Sequence, residues 1–237
     1  MQRLLTVLPV LSVAACATAR PAITSAGVSE AVEQLSGHRA HMTNEIHLLA
    51  GGHFAGPAVT LRLVRDDHAS GTEAGLAAIR LLEGAAPGSV VVACLDDEKG
   101  FAVFGSTFAA LARSHRLAGF VVDGSVRDLY DLKRMAFPTF ARGTAPGSAG
   151  GHYRIEGTNV PVPCGGIVVA PGDYVVADED GVSVAPQDRL PEVLAFARRF
   201  QSDKLALLPL IEEYGSYLRA MHERDAGRRQ QAARSPR

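Results

Sequence analysis

The sequence predicts a layered α/β domain, because strand-like and helix-like segments alternate through its middle and a β-rich part follows. Ala58–Val64 is rich in β-branched residues, as strands are. Gly71–Leu82 places alanine and leucine at helical spacing, and the apolar run Ser89–Leu95 follows a Pro87-Gly88 turn. Strand–helix units followed by short strands favour a layered α/β fold over a long doubly wound sheet.

The same signals place the remaining elements. Helices are expected at Gly105–His115 and Arg127–Ala136, with the buried strand Gly119–Asp123 between them. After Pro138 the pattern predicts four short strands: Thr139–Arg142, Gly166–Ala170, Tyr174–Ala177 and Val182–Ala185. The last predicted element is helical, Asp188–Arg219, with an interruption near Pro209.

Composition excludes several classes of protein. The chain has 237 residues, of which 47% are hydrophobic and 21% charged, as in ordinary globular domains. The 24 basic residues balance the 25 acidic ones, and aromatic residues make up only 6% with no tryptophan. We therefore expect no nucleic-acid partner. Three cysteines are too few for a disulfide framework.

The first 16 residues resemble an export leader. Leu4–Cys16 is apolar and follows Arg3, and its thirteen residues would span about 20 Å as a helix, too short for a bilayer core. Val13–Cys16 resembles a bacterial lipoprotein cleavage box, so Cys16 is a candidate lipid anchor. We expect an exported protein, periplasmic or membrane-attached. The alternative is a cytoplasmic protein in which this segment is retained.

The rest of the chain divides into three parts. Residues 25–190 form the predicted domain, and residues 191–219 form C-terminal helices. Residues 220–237 are rich in arginine and poor in apolar residues, which predicts a basic flexible tail.

The first candidate site is Asp123–Asp128, where a buried strand ends and a helix begins. Ligands of open α/β sheets collect at the carboxyl ends of strands. The Arg127 guanidinium could bind a carboxylate in a two-pronged manner, and Asp128 could ligate Mg²⁺ or Mn²⁺. The alternative is a structural one, in which Asp128 lies in the first helical turn and pairs with a neighbouring arginine.

The second candidate site is the loop-to-helix junction Phe104–Phe108. Gly105 would let a ligand approach the backbone, and the free N–H groups of a first helical turn bind anions. The alternative is a helix start that Ser106 or Thr107 caps. Both candidate segments follow a strand, so both could face one cleft.

With these residues, the chain resembles the RraA-like family over about Val28–Pro186. That family includes the class II 4-hydroxy-4-methyl-2-oxoglutarate aldolases and regulators of ribonuclease E activity. The Gly105 loop precedes Arg127-Asp128 at the spacing of the family. The other matching stretches are Gly56–Thr60, Ala86-Pro87-Gly88, Phe137-Pro138, Gly165-Gly166, Pro171-Gly172-Asp173 and Ala177–Val182.

The resemblance implies a compact three-layer β/β/α swivelling-type domain, assembled as a homotrimer or homohexamer with its site at a subunit interface. It implies that Arg127 and the backbone of Gly105, Ser106, Thr107 and Phe108 bind the carboxylate of a pyruvyl group. It further implies that Asp128 holds a divalent metal, Mg²⁺ or Mn²⁺, and that the substrate is a small 2-oxo acid.

One departure from the family pattern affects the expected activity. Aldolases of the family usually have an acidic residue directly after the loop glycine, and this chain has Ser106 there. The resemblance also implies an acid from a neighbouring subunit's C-terminal helix, for which Asp203 is the first candidate, ahead of Glu212 and Glu213.

The expected activity is lyase chemistry that releases pyruvate. It would be retro-aldol cleavage, oxaloacetate decarboxylation, or both. Decarboxylation is the more robust of the two, because it needs less proton transfer. The alternative, which Ser106 favours, is a non-catalytic binding or regulatory protein.

Overall fold

The computed structural model describes residues 22–95 and 100–234. The helices are α1 (Ser25–Ser36), α2 (Gly71–Gly84), α3 (Ser106–Ser114), α4 (Leu129–Met135), α5 (Leu190–Tyr214) and α6 (Tyr217–Arg234). The strands are β1 (His47–Ala50), β2 (Phe54–Arg65), β3 (Val90–Leu95), β4 (Ala102–Phe104), β5 (Gly119–Val126), β6 (Thr139–Thr144), β7 (Tyr153–Thr158), β8 (Val162–Cys164), β9 (Ile167–Val169), β10 (Tyr174–Asp178) and β11 (Gly181–Ala185).

One mixed sheet organises the domain. Its strand order is β1-β6-β5-β3-β2-β10-β11, with β4 paired to β5 and β7 paired to β2. The centre, β2-β3-β5-β6, is parallel, and the outer strands join it antiparallel. Strands β1 and β11 stand at opposite ends of this order and yet contact each other. The sheet therefore nearly closes into a barrel, and β8 and β9 form a separate two-stranded sheet.

The core has three parts. Every residue of β3 is buried, which explains why its sequence is a continuous apolar run. Helices α2, α3 and α4 bury their apolar sides on the outer face of the parallel strands. The inner face packs on β8 and β9, while α1 and α5 cover β10 and β11. The predicted α/β class and the three-layer arrangement are confirmed.

The C-terminal prediction was wrong about where the helix breaks. Helix α5 continues through Pro209 and ends at Gly215, whose backbone is left-handed with φ of 59° and whose N–H donates to Ile211 O at 2.8 Å. A helix loses one backbone hydrogen bond at an internal proline. Contacts of α5 with α1 and α6 compensate for that loss.

The prediction of a flexible tail from residue 220 was also wrong as far as the structure describes the chain. Residues up to Arg234 belong to α6. Ala220 is fully buried, the Arg219 guanidinium lies 4.5 Å from the centre of the Tyr214 ring, and Arg228 forms an ion pair with Asp203. These contacts with α5 hold a helix whose sequence alone has no apolar stripe.

Several elements were not predicted, including α1, β1, β4, β7 and β8. Helix α1 depends on a distant partner, because the Ser25 amide and hydroxyl both donate to the buried Asp178 carboxylate. Sequence patterns compare residues that are close in the chain, whereas Ser25 and Asp178 are 153 residues apart, so these patterns do not reveal the contact. Strand β8 has only three residues, and the middle one is Pro163, so its sequence does not indicate a strand.

One sequence prediction falls outside the described residues. The export leader, with its candidate lipid anchor Cys16, lies within residues 1–21 and remains a prediction. Within the described residues, no helix is both long and apolar enough to cross a membrane.

Candidate functional site

The Arg127-Asp128 pair lies directly after β5, at the carboxyl end of the parallel strands. Helix α4 begins at Leu129, two residues later than predicted. The reason is the backbone of Asp128, which is left-handed, with φ of 57° and ψ of 40°. This conformation costs about 1–2 kcal/mol for most L-residues, less for aspartate, and it clusters at functional sites. Asp128 is therefore not part of a first helical turn.

The Gly105 loop lies beside this pair, as the sequence predicted. Strand β4 pairs in parallel with β5, so that Phe104 is next to Val126, and the Arg127 amide donates to Phe104 O at 2.9 Å. A Cβ at Gly105 would lie 2.5 Å from Asp128 Oδ2 and 2.9 Å from Arg127 Cγ. Only glycine allows the loop and the two charged side chains to approach so closely.

The Asp128 carboxylate caps α3. Its Oδ2 accepts hydrogen bonds from both the amide and the hydroxyl of Ser106, each at 3.0 Å. The alternative of a cap by Ser106 or Thr107 was wrong, since the cap position is Gly105, which has no side chain. The acceptor instead comes from 22 residues further along the chain.

The hydrogen bonds from Ser106 favour the ionised form of the Asp128 carboxyl. The Ser106 amide, with smaller contributions from its hydroxyl and from the nearby Arg127 charge, lowers the pKa of the Asp128 carboxyl. The Arg127 Nε lies 4.0 Å from Asp128 Oδ2. The side chains of Arg127 and Asp128 are 46% and 37% exposed, so both can meet a ligand from solvent.

We expect Ser106→Ala to raise the pKa of Asp128 in the metal-free protein, because it removes the hydroxyl donor. The rise should be partial, since the backbone donor has the larger effect and remains. Asp128 titrates below its unfolded value, so its contribution to stability is present above the ordinary carboxyl pKa and is lost as pH falls through the folded pKa. Carboxyl carbon NMR shifts followed against pH would measure this. Thr107→Ala is the matched control, and an unchanged Asp128 pKa in Ser106→Ala would contradict the contact.

The first turn of α3 keeps further donors. The amides of Thr107 and Phe108 have no acceptor within the helix, as in any first turn. Phe108 itself packs its ring 5.3 Å from the ring of Phe104 in the core, so it can offer only its backbone to a ligand. Thr107 is exposed. The arrangement suits an anion placed between α3 and Arg127.

A shallow depression of about 440 Å³ adjoins the pair. It is lined by Arg127, Asp128, Leu129, Thr144, Ala145 and Pro146. Thr144 is the last residue of β6, and Ala145 and Pro146 follow it; the Ala145 amide donates to Val126 O at 3.0 Å. Sequence reasoning missed this wall, although β6 was predicted and its carboxyl end had to reach the same edge of the sheet.

The acidic residues of α5 do not reach this site by any contact of the described chain. Asp203 forms an ion pair with Arg228 of α6. Glu212 and Glu213 lie near the end of α5. Their role toward a neighbouring subunit stays a prediction.

The ligands that this site offers suit a divalent ion that keeps several of its bound water molecules. The described residues contain no group of three or more His, Cys, Asp or Glu side chains that could hold a metal. Mg²⁺ is commonly bound through only one or two carboxylates, with waters and substrate oxygens completing its shell. Asp128 offers one such carboxylate, and its Oδ1 accepts no hydrogen bond from a described residue. Zinc, which prefers several nitrogen or sulfur ligands, does not fit.

The sequence is similar to a known protein family and to several of its members. The profile of the RraA-like family, described as Aldolase/RraA, matches residues 25–184. A Halalkalibacterium halodurans protein provisionally named a 4-hydroxy-4-methyl-2-oxoglutarate aldolase is 35% identical over 169 residues, which are 71% of this chain and 77% of that protein. A Burkholderia multivorans protein with the same provisional name is 33% identical over 135 residues, covering 56% of this chain and 75% of that protein.

Solved structures agree on the fold. An uncharacterised protein from Pseudomonas syringae has a TM-score of 0.76 at 25% identity, covering 85% of this chain and 90% of that one. Streptomyces coelicolor RraAS2, described as an unusual member of the RNase ES inhibitor RraA protein family, has a TM-score of 0.68 at 28% identity. That similarity covers 77% of this chain and 89% of the Streptomyces chain.

Proposed function

Because the chain belongs to the RraA-like family, we propose that it is a divalent-metal-dependent lyase that releases pyruvate from small 2-oxo acids. One observation carries the proposal. A guanidinium, a carboxylate and the open first turn of a helix meet at one edge of the sheet, where Gly105 lets them approach. Relatives provisionally named 4-hydroxy-4-methyl-2-oxoglutarate aldolases support the same reaction class.

Arg127 and the helix amides would orient the substrate. The guanidinium binds the carboxylate of the pyruvyl group through charge-assisted hydrogen bonds, and the Thr107 and Phe108 amides donate to the same anion. Asp128 would hold Mg²⁺ or Mn²⁺, with Oδ2 accepting from Ser106 and Oδ1 accepting no hydrogen bond from a described residue. Such an ion supplies positive charge to the oxygen on which enolate charge develops.

The groups at hand favour decarboxylation over retro-aldol cleavage. Retro-aldol cleavage needs a base for the substrate hydroxyl, whereas carbon dioxide leaves oxaloacetate without a proton. The residues that line the depression supply one carboxylate, Asp128, which is engaged with Ser106. Among the described residues, the groups at the depression are therefore best equipped for oxaloacetate, and cleavage of 4-hydroxy-4-methyl-2-oxoglutarate would need an acid from outside this set.

That acid would come from a neighbouring subunit. We propose a homotrimer or homohexamer in which Asp203, or else Glu212 or Glu213, faces the site of the next copy. Light scattering would give the assembly size, and a monomer with full retro-aldol activity would contradict this part of the proposal.

A second candidate function is non-catalytic binding, which two observations favour. Ser106 stands where the aldolases usually have an acid, and a solved relative is described within an RNase inhibitor family. Pyruvate release above the metal-only rate, measured with both substrates, separates the two functions. Release with oxaloacetate at least is expected, and no release with either substrate would favour the binding protein.

Gly105→Ala should lower kcat/KM for pyruvate release by about 10- to 100-fold, because the added methyl would displace Arg127 and Asp128. The measurement is steady-state kinetics with oxaloacetate, alongside circular dichroism. Gly75→Ala in α2 is the matched control, since a Cβ there meets nothing within 4 Å. That variant should keep its activity and gain a little stability. Equal activity in the two variants would contradict the close packing at Gly105.

A further inference from the structure

A row of polar side chains crosses the inner face of the parallel strands. Cys94 on β3 is the register neighbour of Arg62 on β2 and of Asp123 on β5. Asp123 in turn forms an ion pair with Arg142 of β6. The proposed lyase chemistry uses none of these groups. The thiol therefore lies on the sheet between charged neighbours while remaining almost fully buried.

The hairpin β8–β9 brings a second cysteine to this row. Cys164 ends β8, and the next residue, Gly165, donates its amide to Asp123 Oδ2 at 2.6 Å. Strand β8 packs against β3, and both cysteines belong to one apolar cluster. Asp123, the neighbour of Cys94, thus anchors the residue that follows Cys164.

Both thiols are buried in the same cluster, where β8 packs against β3. Burial, followed by a hydrogen bond with the Cys164 thiol, raises the pKa of Cys94. Cys164 is fully buried and Cys94 is 3% exposed. Neither sulfur is open to solvent in the closed structure, so oxidation requires the hairpin to open. The turn that joins β8 to β9 contains Gly165 and Gly166, both at positive φ, as a tight reversal requires.

We propose that Cys94 and Cys164 form a reversible disulfide that fastens the β8–β9 hairpin to the central sheet. The oxidant is a small-molecule disulfide. The Cys164 thiolate attacks one sulfur of the reagent, forming a mixed disulfide and expelling one thiolate. The Cys94 thiolate then attacks the Cys164 sulfur, forming the protein disulfide and expelling the second thiolate. The two protons of the cysteines end on the two released thiols, so the reagent is reduced as the protein is oxidised.

The disulfide would stabilise the folded protein. A bond between β3 and β8 closes a long loop of the chain, which restricts the unfolded state. It would also hold Gly165 against Asp123 when the hairpin would otherwise open. We therefore expect the oxidised protein to melt at a higher temperature than the reduced protein.

The test uses the full chain carrying Cys16→Ser, so that Cys94 and Cys164 are its remaining cysteines. In one treatment the folded protein is equilibrated with oxidised glutathione. In a second treatment the protein is refolded in the presence of oxidised glutathione. Circular dichroism checks the fold after each treatment. We expect the intact mass to fall by two hydrogen atoms, titration of the denatured protein to find no thiol, and peptide mapping to recover the Cys94–Cys164 cross-link. Dithiothreitol should reverse all three changes.

Matched variants complete the experiment. Cys94→Ala and Cys164→Ala, each on the same background, should leave one cysteine, free or carrying one glutathione, and should lose the reducible rise in melting temperature. Two free thiols in the folded protein after both treatments would overturn the proposal. So would two glutathione adducts, because they would mean that the sulfurs do not reach each other.

Discussion

Arg127→Ala should lower kcat/KM for pyruvate release by about 100-fold or more, since a charged donor in a positioned site is usually worth that much. The guanidinium lines the depression, its Nε lies 4.0 Å from Asp128 Oδ2, and its side chain is exposed, so it can meet a substrate from solvent. KM should rise and kcat should fall together, because the same contact orients the substrate and stabilises the developing charge. Steady-state kinetics with oxaloacetate would measure both constants.

Two further variants make this result specific. Arg134→Ala removes an arginine from the same segment, one that lies 5.7 Å from the centre of the Tyr130 ring, and it should leave kinetics unchanged. Arg127→Lys keeps the charge and loses the two-pronged geometry, so its kcat/KM should fall between those of the wild type and the alanine variant. Kinetics of Arg127→Ala within about twofold of wild type would remove Arg127 from the site.

Asp128→Asn should abolish metal-stimulated activity and weaken Mn²⁺ binding by about 100-fold or more, since it replaces the only carboxylate among the described residues that line the depression. The variant should fold. Asparagine tolerates the left-handed backbone at this position, and its side-chain oxygen can still accept from Ser106. Electron paramagnetic resonance of free Mn²⁺ would give the binding constant independently of turnover.

Asp131→Asn is the control for this substitution. Asp131 lies in the first turn of the same helix and is exposed, so losing its charge changes the local field without touching the site. Wild-type Mn²⁺ binding in Asp128→Asn would exclude Asp128 as the ligand. Equal losses in the two variants would point to a general effect of charge.

The central part of the site was predictable because the rule that places it is geometric. Parallel strands deliver their carboxyl ends to one edge of a sheet, so the Gly105 loop and the segment after β5 were expected to face one cleft, although β4 itself was not predicted. The same rule would have identified the wall at residues 144–146. What it does not provide is the orientation of Asp128, which depends on a hydrogen bond to an amide 22 residues away.

The errors elsewhere have a common cause. The continuity of α5 through Pro209 and the existence of α6 depend on helix–helix packing and on the Asp203–Arg228 ion pair. Local propensity opposes both, since proline weakens a helix interior and the sequence of α6 is mostly polar. Helix α1 likewise needs Asp178 from the other end of the domain. Local patterns predicted the elements that the sheet buries and missed those held by distant partners.

The central claim is that pyruvate release requires both a divalent ion and Asp128. The most direct measurement is the rate of pyruvate release from oxaloacetate by the metal-stripped protein as Mg²⁺ or Mn²⁺ is added back, corrected for the metal-only rate, with Asp128→Asn alongside. We predict a saturable rise for the wild type and none for the variant. A metal-stripped protein that is already fully active, or a variant that responds to metal like the wild type, would contradict the assignment.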